Sequence, residues 1–410
     1  MKECDFLVVG GGPVGTTFAS ETASRAKVVI VEEHEEVGLP VQCTGLVTPR
    51  VVEMAQAQDT IINQIRGAYF HFPGGETVEV RSREVKAVVI DRAAFDRRRA
   101  EFAIDKGAEL HLGTRFLSHE QSGCVLVRCR FKGHIQEFKA KLLVGADGYK
   151  SNVAHSAGLF PPEDLVRGLQ MDLAYREEEQ DMLFVYLGRE VAPGFFAWRI
   201  PCGEMTRVGL CVSMNHKSPM RYLTSLLKRV GLQDKRRVRV ISGMIPLGPA
   251  PRTYADRLML IGDAAGQAKP LSGGGLYTGM VAAHCAAETS LICLSRDDYS
   301  GRTLSEYQEK WKSLIGKELE RGMLLRRAFI RLSDEKLKEI GRILSRPEVE
   351  SVLNQGDIDY PMELAPYVLR AAPSLLKFTP SFLGTFFYQP RQNSRNERMS
   401  SSSGGRDEAG

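Results

Sequence analysis

The feature that most limits what this chain can become is Gly10-Gly11-Gly12-Pro13-Val14-Gly15. It is a G-x-G-x-x-G lying between the apolar run Phe6-Leu7-Val8-Val9 and a stretch of helical length. A second apolar run, Val28-Val29-Ile30-Val31, ends in Glu32-Glu33, so the first 33 residues read as a βαβ unit. Gly10, Gly12 and Gly15 are required because a dinucleotide pyrophosphate approaches the backbone amides at the helix N-terminus, where any side chain would intrude. Glu32, 22 residues after Gly10, stands where it accepts from ribose hydroxyls, and an acid there repels a 2′-phosphate. Glu33 is the adjacent candidate, turned the other way by strand alternation. The expected nucleotide is therefore FAD or NAD, not NADP.

A second glycine-rich junction decides between those two. Arg257 to Ile261 reads as a short buried strand running into Gly262-Asp263-Ala264-Ala265-Gly266, then Pro270 and Gly273-Gly274-Gly275. An Ala-rich helix is expected to follow over about 274–294. Two strand-to-helix junctions imply a long dinucleotide, FAD. Asp263 is positioned to bond its ribityl chain or a phosphate, and the second helix N-terminus to stabilise negative charge on the reduced ring. No second G-x-G-x-x-G sits within a βαβ pattern, so a dedicated NADPH domain is not expected and electrons reach the flavin from elsewhere.

The 410 residues, 43% hydrophobic and 26% charged, leave room for two or three domains sharing one cofactor. A formal charge of +5 is too small and dispersed for nucleic acid, and suits a phosphate-rich ligand or an anionic membrane surface. Eight cysteines form no C-x-x-C or Cys/His cluster, which argues for reduced thiols in the cytoplasm, without disulfides or a bound metal. His71, His111, His119, His134, His155, His216 and His284 do not gather with acids in spacing and are read as surface or satisfied side chains. The first apolar run is too short for a signal peptide, and no uncharged stretch reaches the roughly 18 residues of a membrane span.

The fold class expected is α/β, α+β overall. A Rossmann-type FAD-binding domain takes 1–65, 90–160 and 250–298, interleaved with an antiparallel-sheet substrate domain of 66–89 and 161–249. A helical region follows over 299–389 and a disordered tail over 390–410. Residues 67–89 read as a hairpin about the Pro-Gly-Gly turn at 73–75, and 93–106 as a helix whose Arg97-Arg98-Arg99 spreads over a solvated face. In 365–387, Pro366, Pro373 and Pro380 recur among aromatic and aliphatic residues. They break any continuous helix, leaving short helices that lie on a bilayer or line an apolar cavity, or else a packing element against the core.

Taken together, GGGPVG, Val41-Gln42-Cys43-Thr44-Gly45, Asp91-Arg92-Ala93-Ala94-Phe95-Asp96, the GADG at 145–148, and GDAAG with PLSGGG resemble the geranylgeranyl reductase family of FAD-dependent oxidoreductases. That family lies within the aromatic hydroxylase-like flavoprotein superfamily, and the resemblance covers roughly residues 4–295. Its aromatic Tyr-x-Trp-x-Phe-Pro signature is met here by Phe196-Ala197-Trp198-Arg199-Ile200-Pro201, with Tyr replaced by Phe and Phe by Ile. The resemblance implies reduction of isolated double bonds of geranylgeranyl chains on archaeal ether phospholipids, prenyl diphosphates or chlorophyll precursors. It also implies FAD contacts at Gly15, Glu32, Cys43, Thr44, Gly45, Arg92, Asp263, Gly275 and Leu276, with Asp147 serving structure and pyrophosphate placement.

An unconjugated alkene has no carbonyl to take up charge. Hydride delivery from flavin N5 therefore needs a proton donor or cation stabilisation at the second carbon, with desolvation and positioning supplying the rest. Trp198 and Phe196, with Phe195, are read as lining an apolar tunnel or as ordinary core aromatics, and Cys43 as a redox or proton-transfer residue, a ring-packing contact or a buried inert thiol. The partners expected are a prenyl-lipid substrate, an external donor (ferredoxin, deazaflavin or NAD(P)H) and peripheral contact with the inner face of the membrane. Arg321, Arg326, Arg327, Arg331, Lys336 and Lys338 would supply basic charge towards it. A flavin monooxygenase using NADPH and oxygen, and a flavoprotein acting on a menaquinone side chain or relaying electrons to a quinone, are the alternatives.

Overall fold

Three sheets and a C-terminal set of helices make up the computed structural model, which describes residues 1–159 and 164–378. The fold class is mixed α/β. At its centre the strand Lys2–Val9 lies parallel to Val28–Val31 on one side and to His134–Gly145 on the other; the latter is parallel in turn to Leu258–Leu260. These runs are apolar without alternation because both faces are covered. Phe6 and Val8 pack on the helices Pro13–Thr22 and Leu276–Arg296, while Leu7 and Val9 pack towards Val125 and Val127 of the antiparallel extension. The two helices approach so closely that a Cβ on Gly279 would lie 2.6 Å from the Val14 side chain.

A seven-stranded sheet stands beside this core, in the order Arg237–Leu247, Asp164–Leu173, Met205–Ser213, Ala197–Cys202, Met182–Tyr186, Gly67–His71, Thr77–Arg81. All its pairs are antiparallel except Met182–Tyr186 with Gly67–His71. The hairpin about residues 73–75 forms from 67 to 81 only. Ala87–Ile90 pairs instead with Leu46–Val47 and Ile61–Ile65 in a three-stranded sheet, so the 66–89 boundary runs through two sheets.

The region after 300 is helical and is built onto the cofactor sheet. Tyr307 Oη donates to the carbonyl of Leu260 at 2.6 Å, and Trp311 Nε1 to Thr253 Oγ1 at 3.1 Å, both from fully buried rings. Helices Asp334–Leu344 and Pro347–Leu353 then cross to the hairpin, where Phe72, Val78, Leu332 and Leu337 form a buried cluster. Ala372 and Phe378 are buried against Ile343 and Val349, so the described part of the proline-bearing segment packs on the core, while Tyr367 and Leu369 stay exposed. The tail at 390–410 and residues 379–387 lie outside the described residues.

Two readings of arginines are corrected. Arg99 is 2% exposed and donates to the Ala55 carbonyl at 3.1 Å and to Ser20 Oγ at 2.9 Å, because its helix Arg92–Asp105 turns that face onto Pro13–Thr22. Arg326 is equally buried. It is paired with Asp164 at 3.0 Å, donates to Gly194 O at 2.9 Å and stands over the Phe195 ring, which removes it from any basic outer surface.

Candidate active site

The first glycine loop is shaped by Glu32 as much as by its glycines. Gly12 is the extended N-cap residue of Pro13–Thr22, and Gly11 N donates to Glu32 Oε2 at 2.7 Å. Gly10 has φ +110, and a Cβ there would lie 2.3 Å from the Ala146 carbonyl oxygen. A Cβ on Gly12 would meet no atom within 4 Å. Gly10 and Gly15 are thus needed for backbone packing, and Gly12 for access to the cavity. Glu33, which also borders the cavity, faces Arg115 at 3.6 Å. His34, whose position next to two acids went unread above, closes on Glu32 with Nδ1 2.6 Å from Oε1.

At the second junction, Gly262–Ala265 is a single 3₁₀ turn, and Leu276–Arg296 begins after Gly275. The Asp263 carboxyl faces the same cavity without a side-chain hydrogen bond among the described residues. Burial pushes it up to about 6, against the pull of Arg92. Such a carboxyl, with the open amide side of Gly12, fits a dinucleotide that donates hydroxyls at one point and presents phosphate at the other. Asp147 does structural work: its two oxygens accept from Ser151 Oγ at 2.6 Å and Val153 N at 3.1 Å, starting the helix Asn152–Ser156.

The Cys43 loop lies between these two junctions. Gly45, at φ +74, brings the chain so close to the Ile90 carbonyl and Arg207 Nη1 that a Cβ would lie 2.6 and 2.8 Å from them. The Gly45 amide donates to Cys43 Sγ at 3.4 Å. Arg92 is held by Asp96 in a two-pronged pair at 2.8 and 2.9 Å; although burial works against its charge, Asp96 and Cys43 keep it firmly protonated. All eight cysteines are unpaired. Cys211 also borders the cavity, but burial pushes its thiol up to about 12.

One cavity of about 1240 Å³ joins all of this to the inner face of the seven-stranded sheet. Phe195 and Phe196 stack with centroids 4.5 Å apart, and Trp198 meets Phe196 edge-on at 6.0 Å. The indole is fixed by a polar chain that ends at the cysteine loop. Trp198 Nε1 donates to Gln170 Oε1 at 3.1 Å, and Gln170 Nε2 to Asp172 Oδ1 at 2.9 Å. Arg207 lies 3.9 Å from Asp172 and donates to the Thr44 carbonyl. Cys43, Thr44, Trp198 and Phe196 therefore border one space with Gly10, Gly12, Glu32, Arg92, Asp263, Gly275 and Leu276. Gly15 is packed below the loop against the Gly10 carbonyl.

A polar cluster that no short motif announced closes one side. The 2% exposed Asp359 accepts from Lys269 Nζ at 2.7 Å, Thr48 Oγ1 at 2.6 Å and Arg50 Nη1 at 3.1 Å. Arg50 also pairs with Asp357 at 3.0 Å and stands over the rings of Tyr277 and Tyr360. Lys269 sits inside the GDAAGQAKPLSGGG run and carried a signal; Asp359, 90 residues on, carried none.

Comparison with known proteins agrees with this geometry. A family model described as FAD binding domain matches residues 3–216. The digeranylgeranylglycerophospholipid reductase of Methanothrix thermoacetophila is 33% identical over 382 residues, covering 89% of this chain and 97% of that protein. The enzyme of the same name from Methanocaldococcus jannaschii is 31% identical over 392 residues, 92% of this chain and 98% of its own length. A solved geranylgeranyl bacteriochlorophyll reductase-like protein from Thermoplasma acidophilum superposes with a TM-score of 0.85 at 25% identity, covering 93% of this chain and all of that one.

Proposed function

The chain belongs to the geranylgeranyl reductase family of FAD-dependent oxidoreductases, and on that premise we propose that it saturates isolated C=C bonds of geranylgeranyl chains carried by archaeal-type membrane phospholipids or their precursors. The observation that carries this reading is the continuity of the cavity: the glycine cradle and the aromatic wall of Phe195, Phe196 and Trp198 border one space. Bound FAD, once reduced, supplies the hydride.

The chain's own residues do the rest. The apolar wall excludes water and aligns a chain that offers no polar handle near its double bonds. Trp198, immobilised through Gln170, presents a fixed ring to positive charge developing on carbon. Cys43, whose Sγ accepts from the Gly45 amide, is the residue we assign to proton delivery at the second alkene carbon. Glu32 would hold the adenosine ribose of the cofactor and Asp263 its ribityl chain or a phosphate, and reducing equivalents come from an external ferredoxin, deazaflavin or NAD(P)H. We place the enzyme in the cytoplasm, against the inner face of the membrane.

Anaerobic incubation of the reduced holoenzyme with geranylgeranyl diphosphate and with a digeranylgeranylglyceryl phospholipid tests this, with products read by mass. The expected result is a gain of two hydrogens per reduced bond. No gain on either substrate, with rapid NADPH-dependent oxygen uptake instead, overturns it in favour of a monooxygenase. In the same assay Cys43→Ala is expected to keep its flavin and lose about 100-fold in turnover. Normal turnover at wild-type flavin content removes Cys43 from the proton-donor role.

A further inference from the structure

The cavity wall changes character along one strand. The residues of alternate register that border it from Gly67–His71 and its neighbours are Ala68, Phe70 and Phe72, and the next in that register is Arg66. On the partner strand the matching row is Val78, Val80 and then Ser82. The Phe72 and Val78 end is roofed by the C-terminal helices. The Arg66 and Ser82 end meets the turn 82–86, which is pinned at both ends: Ser82 N donates to the Arg66 carbonyl at 3.0 Å and Lys86 N to the Ile65 carbonyl at 2.9 Å. Lys86 also borders the cavity there.

The cations at this rim differ from those at the cofactor loops, where among the described residues only Lys150 lacks a carboxylate partner. Arg92, Lys269 and Arg115, towards the cofactor loops, each face a carboxylate. Arg66 gives Nη1 only to the neutral carbonyl of Arg83, and among the described residues no acid or carbonyl accepts from Lys86 Nζ. Of the nearby acids, Asp181 lies 3.6 Å from Arg81, and neither it nor Glu84 pairs with Arg66 or Lys86 among the described residues. Between this rim and Trp198 the lining is apolar, through Leu183 and Ile200. Two half-buried cations without a protein anion, at the end of an apolar passage, match an amphiphile with a phosphate at one end.

We propose that Arg66, Lys86 and Ser82 form the subsite that receives the phosphate ester of the prenyl substrate, fixing which end of the chain enters the cavity first. This rests on the reading of the substrate as a prenyl lipid. The shared chemistry is a phosphate on a prenyl chain, whether a phospholipid head group or a free diphosphate.

The test is binding, measured by calorimetry on the FAD-loaded enzyme with geranylgeranyl diphosphate, digeranylgeranylglyceryl phosphate and uncharged geranylgeraniol. Lys86→Gln is the primary variant because Lys86 Nζ holds no protein partner whose loss would disturb the turn; Arg66→Gln and the double variant follow. Each single substitution is expected to weaken both phosphorylated ligands about tenfold, to leave geranylgeraniol unchanged, and to be rescued by Lys86→Arg at its own position. In turnover the effect falls on KM, with kcat retained. Loss on only one phosphorylated ligand identifies which source the subsite serves. Equal loss for charged and uncharged ligands, no loss at all, or no binding of either phosphorylated ligand to the wild type overturns the subsite. If phosphorylated ligands bind with the expected dependence but are not reduced, the reductase reading falls and the subsite stands. Reduction that ignores both cations has the opposite meaning.

Discussion

Gly10 and Gly12 stand two residues apart in one loop, yet their surroundings make opposite demands. Gly12→Ala adds a Cβ that touches no protein atom, so the apoprotein is expected to melt as the wild type does, while FAD affinity falls at least about tenfold because the methyl enters the phosphate approach. Gly10→Ala, at positive φ and 2.3 Å from a carbonyl oxygen, should instead cost about 1–3 kcal/mol of fold stability. Thermal melts of both apoproteins, with flavin titrations, separate the two. Asp263 offers a pH signature. Its carboxyl is held near 6 in the fold, above the unfolded value of 3.8, so the folded apoprotein binds the extra proton. The stability this contributes is present below about pH 4 and is lost as pH rises through 6. Asp263→Asn should flatten that part of the melting-temperature profile; an unchanged slope between pH 4 and 7 would sink the assignment. Much at this scale was legible in the sequence: Gly12, Glu32 and Asp263 are required by the backbone approach of a phosphate and by strand-end geometry, which are local rules. His34 against Glu32 and Gln170 beneath Trp198 were not, because the pairing depends on rotamers and on strands far apart in the chain.

Among elements, Asp359 fastens the segment 354–364 to the loops that carry Thr48 and Lys269, beside the Arg50–Asp357 pair and the Lys269 bond to the Ile358 carbonyl. Removing it in Asp359→Ala leaves Lys269, 6% exposed, without its counter-charge, and a loss of about 3 kcal/mol is expected in urea unfolding. Limited proteolysis should then open the chain near 354–364 first, with FAD still bound at the Glu32 end. An Asp359→Ala protein as stable as wild type would mean that the cluster is not what fastens this segment. The strands and helices of the cofactor sheet could be read from apolar runs because burial on both faces leaves no alternation to misread. The helix Arg92–Asp105 misled at Arg99 for a related reason: three consecutive arginines span about 200° of a helix, and the side packed on Pro13–Thr22 reaches the last of them. Arg326 escaped in the same way, since its anion, Asp164, lies 162 residues away.

For the whole molecule, no helix among the described residues is long and apolar enough to cross a membrane. The membrane contact proposed above is assigned to exposed apolar side chains on the proline-broken segment. Tyr367 and Leu369 of the helix Ala365–Ala371 are 59% and 39% exposed, and Tyr367→Glu with Leu369→Glu is expected to abolish flotation with anionic liposomes while leaving the flavin spectrum unchanged. Flotation that survives the double change would move the contact elsewhere. The cofactor sheet and the largely antiparallel sheet beside it were legible from the change of period along the chain; the three-stranded sheet around Ala87–Ile90 was not. Nor was the closure of the cavity, because its lining runs from Val9 to Leu364 and only tertiary packing brings those ends together. That span has a consequence for biosynthesis. A ribosome that has released only the first 300 residues has made both dinucleotide loops but neither Asp359 nor the helices that roof the Phe72 end. Synthesis therefore completes both glycine loops before it makes the segments that enclose the cavity.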